Sequence, residues 1–283
     1  MDDSLQETQV RDNIFVWTLG GDTIHTSYGT NCIGVIEPDA VLVVDPLIAP
    51  AHARLVVATI REKTPAPVRF VVLTHHHTDH SLGASTLVHD GAVLIANRNC
   101  RDSMAAEHPR LLALRRQQPE TRELFGDAVP ILPSVTFEES LTVHLGDMEI
   151  ELWHPGWGHT PGDVFLFLPD ARVAICGDLL FHGYHFNFEN ASLPGIRQGL
   201  RALRALDAET FIPGHGQVAG PETLDEQAHY LDAVESGVQR GIKEGKADDA
   251  IAAELLQMFP THRLGFVIFD TVARLKETTP PPS

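Results

Sequence analysis

The sequence predicts an α/β protein in which sheets and helices are layered, and three observations point there. Between about residues 31 and 96, apolar runs of strand length alternate with segments of helical spacing. From about residue 135 a second group of short strands follows, separated by turns rich in Gly, Pro and Asp. The polar loops that carry His and Asp each begin where one of these strands ends. At 283 residues, 43% hydrophobic and 21% charged, the chain is long enough to bury a sizeable core.

Residues 1–12 are expected to be a flexible N-terminus, and 13–276 a single domain. Ile14–Trp17 reads as a first strand and Gly20-Gly21 as a turn. Asn31–Ile36 and Ala40–Val44 read as two strands joined at Pro38-Asp39. Ala49–Lys63 has near-helical spacing at Leu55, Val56, Thr59 and Ile60. Phe70–Leu73 is a buried strand, Ser81–His89 a helix and Ala92–Ala96 a strand. Residues 101–125 read as a helical insertion or lid, broken at Pro109 and Pro119. Strands follow at 135–137, 141–145, 149–153, 164–168 and 173–176, then a helix at 195–206 and a short strand at 210–212. A helical C-terminal extension covers about 222–276, and 277–283 is a Pro-rich tail.

The stretch Arg69–Ala84 organises the rest. After the apolar strand, His75 and His77 sit two apart, so on an extended backbone they point to one side. Asp79 and His80 follow where the chain turns toward a helix. Four donors in six residues at a strand end suit a transition metal, which takes neutral imidazole nitrogens and anionic oxygens. Three later loops carry further donors just past predicted strands: His159 in Gly158–Gly162, Asp178 after Cys176-Gly177, and His215 in Pro213–Gly216.

His75-x-His77-x-Asp79-His80, followed in order by His159, Asp178 and His215, resembles the motif series of the metallo-β-lactamase superfamily over about Asn31 to Gly216. The resemblance implies a four-layer αββα sandwich of two mixed β-sheets flanked by helices, with the metal site at one sheet edge. It implies that His75, His77 and His159 hold one metal, that Asp79, His80 and His215 hold a second, and that Asp178 bridges them. Two Zn2+ are the first expectation, with Fe or Mn also suited to these ligands. Metallo-β-lactamases of the commonest type carry Cys at the position of Asp178. The Asp resembles glyoxalase II, lactonases and other dinuclear hydrolases. Cys176, two residues earlier, reads as a core thiol. Asp45 fits a carboxylate that orients a ligand imidazole or a turn residue before Pro46, and Thr160 and Asp163 brace the His159 loop.

The function implied is a dinuclear zinc hydrolase. A bridging hydroxide, oriented by Asp79, attacks an acyl carbon of an ester, thioester, lactone or lactam-like substrate. The aromatic run Phe181–Phe188 and Trp157 are expected to wall a pocket for apolar bulk, with Tyr184 or His185 donating to an oxyanion or substrate carbonyl. Alternatives are a β-lactamase, a glyoxalase II-like thioesterase, or an oxidoreductase resembling mononuclear iron persulfide dioxygenases. No Gly-x-Ser-x-Gly motif supports a serine hydrolase.

A formal charge of −17 argues against a nucleic-acid partner. The acidic opening Met1–Glu7 has no apolar signal segment, and no run is long enough to span a bilayer. Three widely spaced cysteines (Cys32, Cys100, Cys176) suit a reducing compartment. A cytoplasmic protein acting on a small-molecule substrate, without membrane contact, is expected.

Overall fold

A computed structural model describes residues 5–278. In chain order the first half contains strands β1 (Gln6–Arg11), β2 (Ile14–Thr18), β3 (Cys32–Glu37) and β4 (Ala40–Val44), then helix α1 (Pro50–Lys63) and β5 (Val68–Val72). Two short helices, α2 (Thr78–Ser81) and α3 (Ala84–His89), precede β6 (Val93–Asn97), α4 (Arg98–Gln117), α5 (Pro119–Arg122) and β7 (Val135–Phe137). The second half contains β8 (Ser140–Leu145), β9 (Met148–Trp153), β10 (Phe165–Leu168), β11 (Val173–Phe181), α6 (Leu193–Arg204) and β12 (Thr210–His215). Helices α7 (Glu222–Lys243), α8 (Asp248–Met258) and α9 (Val267–Thr278) complete the described residues.

Strands β1 to β7 form one sheet in sequence order, and β12-β11-β10-β9-β8 form the other. The first is antiparallel through β4 and parallel from β4 to β7; in the second, only the β11–β12 pair is parallel. Both sheets are mixed, as expected. Successive side chains on a strand face opposite ways, and β4 shows why its run is apolar throughout. Leu42 and Val44 pack inward against Val143, Leu152 and Ile175 of the second sheet, while Val41 and Val43 pack outward with Val56 and Ile60 of α1. A strand buried on both faces needs no polar alternation. Helices α6 to α9 cover the outer face of the second sheet. The result is the four-layer αββα sandwich. Among the described residues no helix is long and apolar enough to cross a membrane.

Several expectations are corrected. The flexible N-terminus holds a strand: β1 pairs antiparallel with β2, and its polar side chains suit an exposed sheet edge. The helical stretch 101–125 is not broken at Pro109. Helix α4 runs through Pro109 and connects the parallel neighbours β6 and β7. Buried Met104, His108 and Leu112 hold it against the body while Pro109 faces solvent. Pro119 does mark a break, because it opens α5. The helix expected over 81–89 is divided into α2 and α3, where Gly83 N–H donates to Leu47 O at 2.9 Å. Strand β11 continues to Phe181, past the expected end at Cys176. In the expected tail, Glu277 and Thr278 belong to α9, and 279–283 lie outside the described residues.

Candidate metal centre

The centre forms where the C-terminal ends of the parallel strands meet. His75, His77, Asp79 and His80 follow β5, His159 lies between β9 and β10, Asp178 sits within β11, and His215 ends β12. Gly177 is what turns Asp178 into the site. Its φ of +52° breaks the register between β11 and β12, so Cys176 packs in the helix-covered core while Asp178 faces the histidines. A Cβ at Gly214 would stand 1.9 Å from Asp178 Oδ1, so only glycine lets β12 pass this close.

All seven expected ligands are brought together. His75, His77, His159 and Asp178 form one group and Asp79, His80 and His215 another, each with donor atoms within 4.8 Å of one another. Asp178 faces both: Oδ2 is 3.2 Å from His159 Nε2 and 3.7 Å from His75 Nε2, and Oδ1 is 3.2 Å from His80 Nε2. His215 Nε2 lies 3.3 Å from both His80 Nε2 and Asp79 Oδ2.

The outer nitrogens decide what the inner ones present. His80 Nδ1–H donates to Asp45 Oδ2 at 2.8 Å, and His215 Nδ1–H to the Tyr28 carbonyl at 3.1 Å. Thr74 gives its own hydroxyl proton to Asp45 Oδ2 at 2.6 Å, so it accepts from His75 Nδ1–H at 3.0 Å. His77 Nε2–H donates to Asn190 Oδ1 at 2.8 Å. With their outer nitrogens so committed, these four imidazoles direct their other ring nitrogens inward, the atoms a cation would take. His75 Nε2 and Asp178 Oδ1 are buried with no hydrogen-bond partner. Unpaired lone pairs inside a protein cost about 1–3 kcal/mol each, and one cation satisfies several at once. Five imidazoles with two carboxylates fit zinc, iron or manganese.

Electrostatics agree with crowded donors of opposite kinds. Burial pushes the Asp178 carboxyl upward, but His80, His215, His75 and His159 outweigh it and hold it well below the usual range. Burial pushes His215 down, but Asp178 and Asp79 outweigh it and raise it to about 9. His159 is lowered to about 4, chiefly by burial.

Asp45 touches His80 and Thr74 as a ligand-orienting carboxylate would, and it also occupies the turn before Pro46 with φ +53°. Asp163 accepts from Thr160 N–H and Oγ1–H at 3.0 and 2.7 Å and braces the His159 loop. Cys176 is buried and lies outside the ligand groups.

Three expectations about the walls are corrected. His185 does not face the centre. It lies buried beneath α7, with Nδ1 3.1 Å from the Tyr230 hydroxyl and its ring near Phe259 and His262. The Tyr184 ring lies beside His215, but its hydroxyl is committed to the Gly21 carbonyl at 3.3 Å and to Arg263. Trp157 opens onto a separate hollow beside Phe188 and Leu275. The aromatic run is divided: Phe181 stacks on His215 and Phe186 lies edge-on to His159, whereas Phe188 packs in the core.

The hollow over the centre, about 270 Å³, is lined by Phe181 and Asn187 of the aromatic run, as expected of that run in part, and also by Tyr28, by Leu111, Arg110 and Arg115 of α4, and by Leu264 and Phe266 before α9. Sequence reasoning also missed Thr30, whose Oγ1 is 3.0 Å from Asp79 Oδ2, and Asn190. Neither lies at a spacing that would betray it.

Comparison with known proteins agrees with this geometry. The solved metallo-beta-lactamase from Pontibacter korlensis superposes with a TM-score of 0.66 at 20% identity, covering 81% of this chain and 99% of that one. The DIM-1 metallo-beta-lactamase gives 0.62 at 20% identity, over 81% and 98%. Among curated relatives, the 2,4-dinitroanisole O-demethylase subunit alpha of Nocardioides sp. (strain JS1661) is 27% identical over 207 residues, 71% of this chain and 55% of its own length. The linear primary-alkylsulfatase of Pseudomonas sp. (strain ATCC 19151) is 23% identical over 67% and 42%. The metallo-beta-lactamase type 2 of Bacteroides fragilis is 22% identical over 79% and 84%. The chain thus spans about half the length of the first two. The family model of the metallo-beta-lactamase superfamily matches residues 25–215, a span that holds all seven clustered side chains, and the chain belongs to that superfamily.

Proposed function

We propose that this chain is a metal-dependent hydrolase, holding two cations of which zinc is the first candidate, and cleaving an ester-like bond of a small molecule with an apolar body. The observation that carries the reading is Asp178, one carboxylate reaching histidines of both groups. When bound, a pair of divalent cations lowers the pKa of water toward neutrality and polarises the bond under attack.

The chain's own residues supply the rest. Asp79, held by Thr30, lines the hollow and accepts a hydrogen bond from an entering water or substrate. Tyr28, Leu111, Leu264 and Phe266 pack the substrate's apolar body and exclude water. Of the arginines on α4, Arg98, Arg101 and Arg116 are tied to Glu138 or backbone carbonyls, whereas Arg110 and Arg115 line the hollow, Arg115 against the Tyr28 hydroxyl. That contrast supports an anionic group on the substrate, away from the bond cleaved. Relatives named a sulfatase and a β-lactamase support hydrolysis, and the relative named an O-demethylase supports an aryl body. Three free buried cysteines support a reducing, cytoplasmic setting.

The test is a panel of nitrocefin, aryl esters, acyl-thioesters, lactones, alkyl sulfates and nitroanisoles, run with Asp178→Asn and His77→Ala and with metal analysis. About two zinc per chain and activity lost in both variants is expected. Activity surviving in both refutes the reading, and one iron per chain with oxygen uptake replaces it with the oxidoreductase alternative.

A further inference from the structure

His77 is the ligand that faces the centre through Nδ1; His75, His80, His159 and His215 face it through Nε2. That orientation leaves the Nε2 of His77 needing an acceptor outside the centre. Asn190 Oδ1 provides it at 2.8 Å. The alternative tautomer matters here because His77 Nδ1 lies only 2.9 Å from His159 Nε2. A proton on His77 Nδ1 would close a hydrogen bond between two ligands and remove both lone pairs from the centre.

Asn190 is itself held from the surface. Its backbone carbonyl accepts the indole N–H of Trp157 at 2.7 Å, and the next residue but one, Ser192, donates its N–H to the Gly158 carbonyl at 2.7 Å. The segment after the aromatic run is thus pinned twice to the loop that carries His159. Trp157 is 49% exposed, so burial of its own ring does not account for its placement.

We propose that Asn190 is a positioning residue that keeps the His77 proton on Nε2, and that Trp157 clamps Asn190 in place and so links the protein surface to a metal ligand. This rests on the reading of the cluster as a metal centre. An acceptor opposite the outer nitrogen fixes both the tautomer and the ring plane of a ligand histidine, and its loss weakens metal binding about 10–100-fold.

The experiment measures zinc affinity by competition with a chromophoric chelator, and the cobalt(II) absorption spectrum, for wild type, Asn190→Leu, Asn190→Asp and Trp157→Phe. Asn190→Leu is expected to bind zinc about 10–100-fold more weakly with an altered cobalt spectrum. Asn190→Asp, which keeps an acceptor, restores both. Trp157→Phe, which keeps a ring but loses the N–H, weakens zinc binding about fivefold. Wild-type affinity in Asn190→Leu, or equal weakening in Asn190→Leu and Asn190→Asp, overturns the Asn190 proposal alone. Should Asn190→Leu fail to fold, unchanged zinc affinity in Trp157→Phe overturns the clamp. A wild-type protein that takes up neither metal overturns the centre and this proposal together.

Discussion

His80 Nδ1 lies 2.8 Å from Asp45 Oδ2, a contact between two side chains that are both inside the protein. The same carboxylate accepts the backbone and hydroxyl protons of Thr74, and Thr74 in turn accepts from His75. One aspartate therefore orients a ligand in each group, directly in one case and through a hydroxyl in the other. Asp45→Ala is expected to cost about 3–5 kcal/mol of stability, as loss of one partner of a buried pair does, and to weaken metal binding about 10–100-fold. Denaturant titration and chelator competition measure the two. Wild-type metal affinity in the variant would remove Asp45 from the centre.

Gly214→Ala places a Cβ against Asp178 Oδ1 with no room to retreat. Metal uptake should fall sharply while the fold, read by circular dichroism, persists. A variant that loads metal as wild type does would show that β12 can shift aside.

Metal uptake should also depend on pH in a defined direction. His215, raised to about 9 by Asp178 and Asp79 against the effect of burial, must give up its proton to become a ligand. Apparent affinity therefore rises with pH up to about 9 and then levels. In the metal-free protein the same shift has the opposite consequence. A raised folded value stabilises fully below the unfolded value of 6.5, and that stability is lost as pH climbs through about 9. Thermal melts of metal-free protein across that window should fall as pH rises. A flat profile would count against the charged His215.

His185 provides the contrary case. Burial, with His262 nearby, lowers it to about 4. Its folded value lies below the unfolded 6.5, so stability is present above 6.5 and lost as pH falls toward 4. His185→Gln should flatten that acid limb and leave kcat/KM near that of wild type. A collapse of kcat with an unchanged fold would return His185 to the reaction.

Phe266 is 56% exposed yet lines the hollow. Phe266→Ala should change stability by less than about 1 kcal/mol while raising KM for substrates with aryl or alkyl bodies. Arg110→Gln with Arg115→Gln should raise KM chiefly for substrates that carry a carboxylate or sulfonate. Equal effects on charged and neutral substrates would refute the anion reading.

Some of this was legible from the chain because local chemistry repeats a simple rule. The unbroken apolar run of Ala40–Val44 announces a strand buried on both faces, and donors placed just after such strands announce a shared edge. What could not be read shares one cause, the absence of periodicity. Gln6–Arg11 lacks alternation because an exposed edge strand needs none. The end of β11 was hidden because Gly177 and Asp178 interrupt an apolar run that the strand nevertheless continues. Tyr184 and His185 sit in irregular backbone, where neighbouring side chains point wherever the turn sends them, so their proximity to Asp178 in sequence said little about direction. Asn190 had no rule to announce it.

The floor of the centre comes from strand ends, whereas much of its wall comes from α4 and the stretch before α9, which supply no expected ligand. Much of the rim is thus written in parts of the chain apart from the clustered donors. Side chains of α4 and of the stretch before α9 can therefore be redrafted one at a time without touching the clustered donors beneath them.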